Sequence, residues 1–484
     1  MLNHKKNVDE NAITHYCLEY QHVEKKLAGQ NQKHLNQLRR DALKQFSTQG
    51  FPSKKQADWK YTSLTALRQT PYFIVAPKPY NLDIATLYSQ QLDFWQGAAK
   101  TSNRSVFKIH EDCELSGNTA KNLSAKSIEP LSSDYRLVFV NGFFAPHLST
   151  IPILANNSII SNLSTMLDHD PEHLNATWKP KETVEKNSFM HLNTAFMQDG
   201  VYIYLAANTR LSSPIEILFI NTDETPHRFI PLRNIIIAEE NSQATLIEKY
   251  IDMTPENNAN YFLNTVTECH LGTNSRIDHY KSINESKQAQ HVGNLCVSQQ
   301  ENSHFSAYSL ALSGALIRSD VTVKLLAPHA TCELKGLYYA VGQQQIDHCT
   351  QIDHVSPQTR SEEFYKGIID DRARATFNGK VIVREQAIKS KAQQLNKNLL
   401  LSAHAEVNSK PQLEIFTDDI QCTHGASIGQ LDKDALFYLR TRGLSVTAAT
   451  ELLVKAFIQD IIEQMPLFCD VTLPSLIKKT YESI

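Results

Sequence analysis

The sequence predicts a mainly β chain whose core is a repeating coil of strands, with helical regions at both ends. Three observations carry this expectation. From residue 188 to 431, short β-type runs such as VYIYLAA, PIEILFI, ATLIEKYI, FLNTVTECHL, DVTVKLLA and GKVIVRE follow one another with few helix signals between them. Small or polar starts recur at Asn241, Asn274, Asn302, His329, Gln358, Arg372, Lys389 and His404, with spacings of 33, 28, 27, 29, 14, 17 and 15 residues. Such spacings suit one or two turns of a β-solenoid, in which each coil buries its apolar face only by stacking on its neighbours. The flanks carry apolar positions at helical spacing, with turn and cap residues at their ends. A β-sandwich would give a similar strand list, so the runs alone leave both architectures open.

Residues 1–70 read as a polar helical region. Spaced apolar positions run from Asn11 to Leu27 and from His34 to Phe46, and the second segment ends in a Ser-Thr-Gln-Gly-Phe-Pro turn. Trp59-Lys60-Tyr61-Thr62 reads as an aromatic packing anchor with no catalytic role. Residues 71–187 form a mixed α/β region with one clear hairpin, RLVFVNGFFA, in which Asn141 and Gly142 both tolerate positive φ. A Lys- and Pro-containing stretch from Trp178 to Lys186 marks the boundary with the β core at 188–431. Residues 432–484 turn helical: a short helix from Asp432 or Lys433 to Arg442 is stopped by Gly443, and a longer one, N-capped by Ser445, runs to about Gln464 before Pro466. On the longer helix Ala449, Leu452, Leu453, Ala456, Phe457 and Ile461 share one stripe.

Composition narrows the function. With 48 basic and 51 acidic residues the net charge is −3, giving no basic excess for phosphate backbones, so nucleic acid is not an expected partner. No apolar run approaches the roughly 20 residues that span a bilayer, and the N-terminus lacks a signal-peptide core, so no membrane association and a cytoplasmic location are expected. The eight cysteines include no CxxC pair, which argues against a self-contained zinc or cluster site. Gly379-Lys380 lacks the remainder of a Walker A run and no GxGxxG occurs, so neither ATP hydrolysis nor a Rossmann site is indicated.

The chemistry is expected in Lys410–Gly443. Leu413 and Ile415 alternate as in a strand, Asp418 and Asp419 follow, and Cys422-Thr423-His424 precede Gly425. On an extended chain Cys422 and His424 share a face, with Cα atoms roughly 6 to 7 Å apart. Two ligand-type residues cannot complete a four-coordinate site, so further ligands must come from elsewhere or from another protein.

The run KPQLEIFTDDIQCTHGASIGQLD, followed by LFYLRTRGL, resembles the C-terminal hallmark of the SufB/SufD family of SUF iron–sulfur cluster assembly scaffolds, and its SufD branch more than its SufB branch. Gly50-Phe51-Pro52 with Trp59-Lys60-Tyr61-Thr62, Arg136–Ser149, and Gln394-Leu395-Asn396 with NLLLS fit the same family in order. The resemblance implies a right-handed parallel β-helix core and so decides for the solenoid. It also implies a non-catalytic scaffold that pairs with SufB, binds the ATPase SufC through its C-terminal helices, and supports assembly of a nascent iron–sulfur cluster. His424 is then the expected ligand of iron or cluster at the seam with SufB, with Cys422 second, and the apolar stripe or its neighbours the docking surface for the ATPase. The family's complex has been linked to reduced flavin, which no residue run here locates; no cofactor is expected on this chain alone, and a homodimer of the isolated chain is left open.

Other clusters carry less. His348 and His354 would lie roughly 20 Å apart on a strand, too far to share a metal, and read as solvated or packed side chains. Arg360, Glu362, Glu363, Tyr365, Asp370, Asp371, Arg372 and Arg374 alternate in sign like a solvated ion-pair face. Paired carboxylates at Asp418 and Asp419 would serve a rival reading, a carbohydrate-active solenoid; a purely structural interaction module is the third.

Overall fold

The computed structural model describes residues 2–76, 82, 134–154, 156–178, 187–222, 225–254 and 258–468. Cys113, Cys469 and most of the Trp178–Lys186 boundary lie outside them. Helices α1 (Leu2–Val23), α2 (Lys33–Gln49) and α3 (Thr65–Gln69) open the chain. Strands β1 (Tyr135–Val140), β2 (Phe143–Phe144) and β3 (Ile159–Asn162) precede α4 (Leu163–His169), α5 (Pro171–Thr177) and α6 (Ser188–Phe196). Then come β4 (Val201–Leu205), β5 (Ile215–Asn221), β6 (Arg228–Ala238), β7 (Gln243–Asp252), β8 (Tyr261–Leu271), β9 (Arg276–Asn284), β10 (Gln290–Gln299) and β11 (His304–Ser313). They continue as β12 (Leu316–Leu325), β13 (Thr331–Ala340), β14 (Gln345–His354), β15 (Arg360–Ile369), β16 (Arg374–Val383), β17 (Ser390–Leu400), β18 (Glu406–Ile415) and β19 (Ile420–Gln430), and α7 (Lys433–Thr441) and α8 (Val446–Ile462) follow.

From β4 onward each strand pairs in parallel with the strand two places along. Odd strands from β5 onward, with β1 and β2, build a ten-stranded sheet ending in β19; even strands from β4 onward, with β3, build a nine-stranded sheet ending in β18. Two parallel sheets whose strands alternate along the chain are a flattened β-solenoid, not a sandwich. Side chains pointing between the sheets fill a lumen with Ile217, Phe219, Leu246, Ile277, Phe305, Leu334, Ile346, Ile352 and Phe377, all at most 4% exposed. Each such aliphatic or aromatic side chain contributes about 1.5–3 kcal/mol through burial.

The turns explain the repeat visible in the sequence. Asn208, Asn241, Asn274 and Asn302 all have left-handed φ, between 52° and 65°, a conformation asparagine tolerates better than most residues. Their amides form a ladder along one corner: Asn241 donates to Asn208 at 3.0 Å, Asn274 to Asn241 at 3.1 Å and Asn302 to Asn274 at 2.7 Å. His329, Gln358 and Lys389 adopt the same φ on later coils. Arg372 and His404 sit instead between odd and even strands, at the opposite corner, which is why the later spacings halve. The hairpin read at Asn141-Gly142 is present, with φ of 54° and 87° and Val140 paired to Phe143.

Both sheets are covered outside along part of their length. Tyr16, Phe46, Phe51 and Trp59 from the N-terminal region and Phe189 from α6 pack on Phe229, Phe262, Val292 and Leu316 of the even sheet. On the odd sheet α8 lays Val454, Ile458 and Ile461 against Leu310, Leu337, Phe364 and Ile368. Among the described residues no helix is long and apolar enough to cross a membrane.

Candidate functional site

The last coil is bare. β18 pairs only with β16 and β19 only with β17, so one edge of each terminal strand offers unpaired backbone groups among the described residues. An open strand edge is a template for another chain unless something covers it. Ile415, Phe416 and Ile428 are 43%, 59% and 51% exposed there, whereas Val383 and Asn398, in register with Ile415 and Ile428 on the preceding coil, are buried.

Cys422 and His424 lie on β19, on one face as the sequence suggests. Their direction follows from β17, where Ala392, Gln394, Asn396 and Asn398 are buried while Lys391 and Gln393 are exposed. Cys422 pairs with Ala392 and His424 with Gln394, so both project on the lumen side, at its open mouth. His424 is exposed; Cys422 is half-buried beside Val381, Val383, Ala387 and Ala392. Burial pushes the Cys422 thiol up, partly opposed by a backbone hydrogen bond from Ala392, and so disfavours the thiolate that binds metal.

Beneath the mouth the lumen is polar. Glu363, Gln394 and His424 occupy successive rungs of β15, β17 and β19. Gln394 donates Nε2–H to Glu363 Oε2 at 2.5 Å. Burial drives the Glu363 carboxyl up to about 7, partly offset by hydrogen bonds from Thr350 and Gln394. Asn396 accepts from Asn398 at 2.6 Å and from Ser409 at 2.7 Å, and Tyr338 donates to Asn398 at 2.5 Å. Among the described residues no three His, Cys, Asp or Glu side chains gather into a metal site.

The ion-pair face read from Arg360 to Arg374 needs correction. Glu363 and Tyr365 are 1% and 2% exposed and face the lumen, because they share strand parity with Ile369; Asp370 is also buried. Arg360 and Glu362 do face outward. Sequence reasoning missed Glu363 and Gln394 as neighbours of the site, although the coil period carries the signal: Gln394 lies 31 residues beyond Glu363 and His424 30 beyond Gln394.

His348 and His354 are packed lumen side chains. His348 lies between Tyr338 and Tyr365, with ring centroids 5.0 and 5.2 Å away, and His354 bonds Thr359 and Ser361, both at 2.8 Å. Burial lowers both imidazoles to about 4. Asp418 and Asp419 are exposed on the turn before β19. The apolar stripe of α8 divides. Ala449 and Ile461 are fully buried against the body and so are not part of a free surface, Leu453 and Phe457 are half-buried, and Leu452 and Ala456 are exposed. The buried line is set by Val454 and Ile458, which lie between the two sets of positions. Phe437 and Tyr438 of α7 add 68% and 56% exposed rings nearby in sequence.

Comparison with known proteins finds family matches along most of the chain. Residues 219–457 match "SUF system FeS cluster assembly, SufBD core domain", and residues 10–89 and 115–217 match "SufBD protein N-terminal region". An iron-sulfur cluster assembly SufBD family protein of Synechocystis sp. is 31% identical over 424 residues, covering 86% of this chain and 84% of that protein. Iron-sulfur cluster assembly protein SufD of Escherichia coli is 26% identical over 446 residues, covering 91% and 89%. SufD of Bacillus subtilis is 24% identical over 347 residues, covering 71% and 78%. With the core and N-terminal regions both matched and a relative above 30% identity covered over most of its length, the chain belongs to the SufB/SufD family of iron–sulfur cluster assembly proteins and is SufD-like.

Proposed function

We propose that this chain is the SufD-like half of a heterodimeric scaffold, paired with a SufB-type chain through the bare coil of β18 and β19. The single observation behind the reading is the coincidence of three features at one end of the solenoid: unpaired edges, exposed Ile415, Phe416 and Ile428, and His424 at the lumen mouth. A partner strand on those edges satisfies the backbone and covers the apolar side chains. It also brings the ligands that His424 and Cys422 lack.

Iron or a nascent iron–sulfur cluster is the cargo, not a resident cofactor. His424 supplies an imidazole nitrogen, a competent iron ligand, and Cys422 a thiol that serves once movement at the seam exposes it. The chain itself performs no catalysis. ATP is hydrolysed by a SufC-type ATPase docked on α7 and α8, on a surface that includes Leu452, Ala456, Phe437 and Tyr438. Reduced flavin enters only as a cofactor of the complex, with no residue of this chain assigned to it.

The test is anaerobic co-expression with SufB- and SufC-type partners, wild type against His424→Ala, reading iron, acid-labile sulfide and the visible spectrum. A cluster present in the first and lost in the second, with the complex intact, supports the reading. An intact complex with unchanged cluster makes His424 structural and moves the assembly site to the partner.

A further inference from the structure

The lumen-facing amides of β17 differ in one respect. Asn396 and Asn398 each use both ends: the Asn396 oxygen accepts from Asn398 and Ser409 while its Nδ2 donates to the Tyr338 hydroxyl and the Tyr365 carbonyl, and Asn398 accepts from Tyr338 while donating to Asn396. Gln394 uses one. Its Nε2–H is committed to Glu363, and its Oε1, on a side chain 1% exposed, has no hydrogen-bond partner. A buried amide oxygen left unpaired costs about 1–3 kcal/mol, so a group that satisfies it is favoured. Gly379 lies under this side chain, and a Cβ there would fall 2.3 Å from Gln394 Nε2, so glycine gives the amide room to cross the lumen.

The rung above Gln394 carries His424. Parallel partners project side by side with strands about 4.8 Å apart, within reach of an imidazole N–H for an amide oxygen. A histidine that binds metal through one ring nitrogen commonly donates its other N–H to a carbonyl or carboxylate, which fixes the tautomer and the ring plane. Since one Nε2–H is donated to Glu363, the nitrogen end of the amide is turned to the carboxyl on the rung below, and the atom left without a partner is the oxygen, which can only accept. Leu334 lies on the rung below Glu363, while Thr350 and Gln394 face the carboxyl. The carboxyl therefore holds the amide and has no direct route to the imidazole.

We propose that Gln394 is a positioning residue for His424: held by Glu363, its free Oε1 accepts one imidazole N–H and leaves the other ring nitrogen as a lone pair for the incoming metal. This rests on the reading of His424 as a ligand, and deepens it by naming what orients the ring. In the structure Oε1 is still unpaired, so the contact requires the exposed His424 ring to turn onto the amide, a step that needs no metal.

The experiment is long-range proton–nitrogen NMR on the full chain labelled with nitrogen-15 histidine, without iron, at a pH where the imidazole is neutral. His424 is assigned by the signal lost in His424→Gln. The expected wild-type result is one tautomer, with one protonated and one bare ring nitrogen. Gln394→Leu and Glu363→Leu should turn this into the averaged shifts of a free imidazole, and Glu363→Gln, which keeps an oxygen to accept from Gln394, should preserve it. Averaged shifts already in the wild type would overturn the proposal without any variant having to fold, and so would a single tautomer unchanged in folded Gln394→Leu. In the assembled complex Gln394→Leu should also weaken iron retention about 10- to 100-fold. If His424→Ala leaves the cluster intact while the tautomer result holds, the ligand reading fails and the positioning contact stands.

Discussion

The guanidinium carbon of Arg318 lies 3.6 Å from the centre of the Trp59 ring. The same side chain donates to the Asp58 carbonyl at 2.9 Å and to the Thr62 hydroxyl at 2.8 Å, and pairs with Asp320 at 2.8 Å. Thr62 in turn donates to Asp347 at 2.6 Å. The Trp59–Thr62 anchor is thus a clamp joining the N-terminal region to the middle of the even sheet. Trp59→Ala is expected to destabilise the protein by about 3–5 kcal/mol, the cost typical of deleting a buried aromatic. Arg318→Lys should also destabilise, because a lysine neither stacks on the ring nor forks among the three acceptors. Urea unfolding measures both, and an unchanged Trp59→Ala midpoint would show that the clamp bears no stability.

The Asn ladder gives a second expectation, in which conformation and hydrogen bonding separate. Asn274 has φ of 56°, donates to Asn241 and accepts from Asn302. Asn274→Ala loses both bonds and keeps a β-carbon in left-handed backbone without the polar side chain that eases that conformation for asparagine, so it sits roughly 1–2 kcal/mol above a residue free of that strain. Asn274→Gly loses the same bonds without that strain. The alanine variant should therefore unfold at lower denaturant than the glycine variant. Equal midpoints would mean that the turn relaxes out of the left-handed region.

Glu363 makes stability depend on pH. Its folded value, about 7, lies above the ordinary 4.5. The folded state therefore holds a proton that the unfolded state releases, and stability falls as pH rises from about 4.5 to about 7, then levels off. The span corresponds to about 3 kcal/mol. Glu363→Gln removes this contribution, so the variant should gain on wild type between pH 5 and pH 8. A stability difference between the two proteins that is the same at both pH values would show that the carboxyl is not held protonated.

Lys366 ties α8 to the solenoid. Its ammonium donates to Asp460 at 2.5 Å and to the Phe457 carbonyl, with the Phe457 ring centre 4.6 Å away, and the residue is 3% exposed. Lys366→Met keeps the stem that packs on the ring and deletes the charge, leaving the Phe457 carbonyl without that donor. The expected loss is about 1–3 kcal/mol, confined to the helix. Hydrogen exchange should quicken in α8 while β13 amides stay protected; uniform change in both would make Lys366 part of a global core.

Much of this was legible from strand parity and period. The αL turn residues Asn241, Asn274, Asn302, His329, Gln358 and Lys389 stood out as repeat starts because a left-handed corner selects polar residues. Strand parity put Cys422 and His424 on one face, and the family resemblance singled them out as ligands. The lumen carboxyl did not. Glu363 sits among charged neighbours in RSEEFYKGIID, and only counting back from Ile369 in steps of two turns it inward. The pairing of Glu363, Gln394 and His424 spans 61 residues and appears only once the coils are stacked in register. For α8 the apolar period gave a helix, yet with apolar residues on most sides it could not say which line faces the body; packing on Leu337 and Phe364 chose Val454 and Ile458.

The identity of the ligand residue carries the last expectation, conditional on His424 binding the cargo. A scaffold must release what it builds. Neutral imidazole binds iron without adding negative charge, whereas a thiolate is softer and anionic and favours iron–sulfur clusters more strongly. His424→Cys should therefore assemble a cluster in the complex and pass it on more slowly. The substitution suits the position because β19 presents residue 424 exposed at the lumen mouth, with room for the smaller side chain. Transfer to an apo-ferredoxin, followed by absorbance, measures the rate against wild type at equal starting occupancy. Equal rates would mean that release is set by the partner's ligands, and a faster variant would reverse the assignment of histidine as the labile ligand.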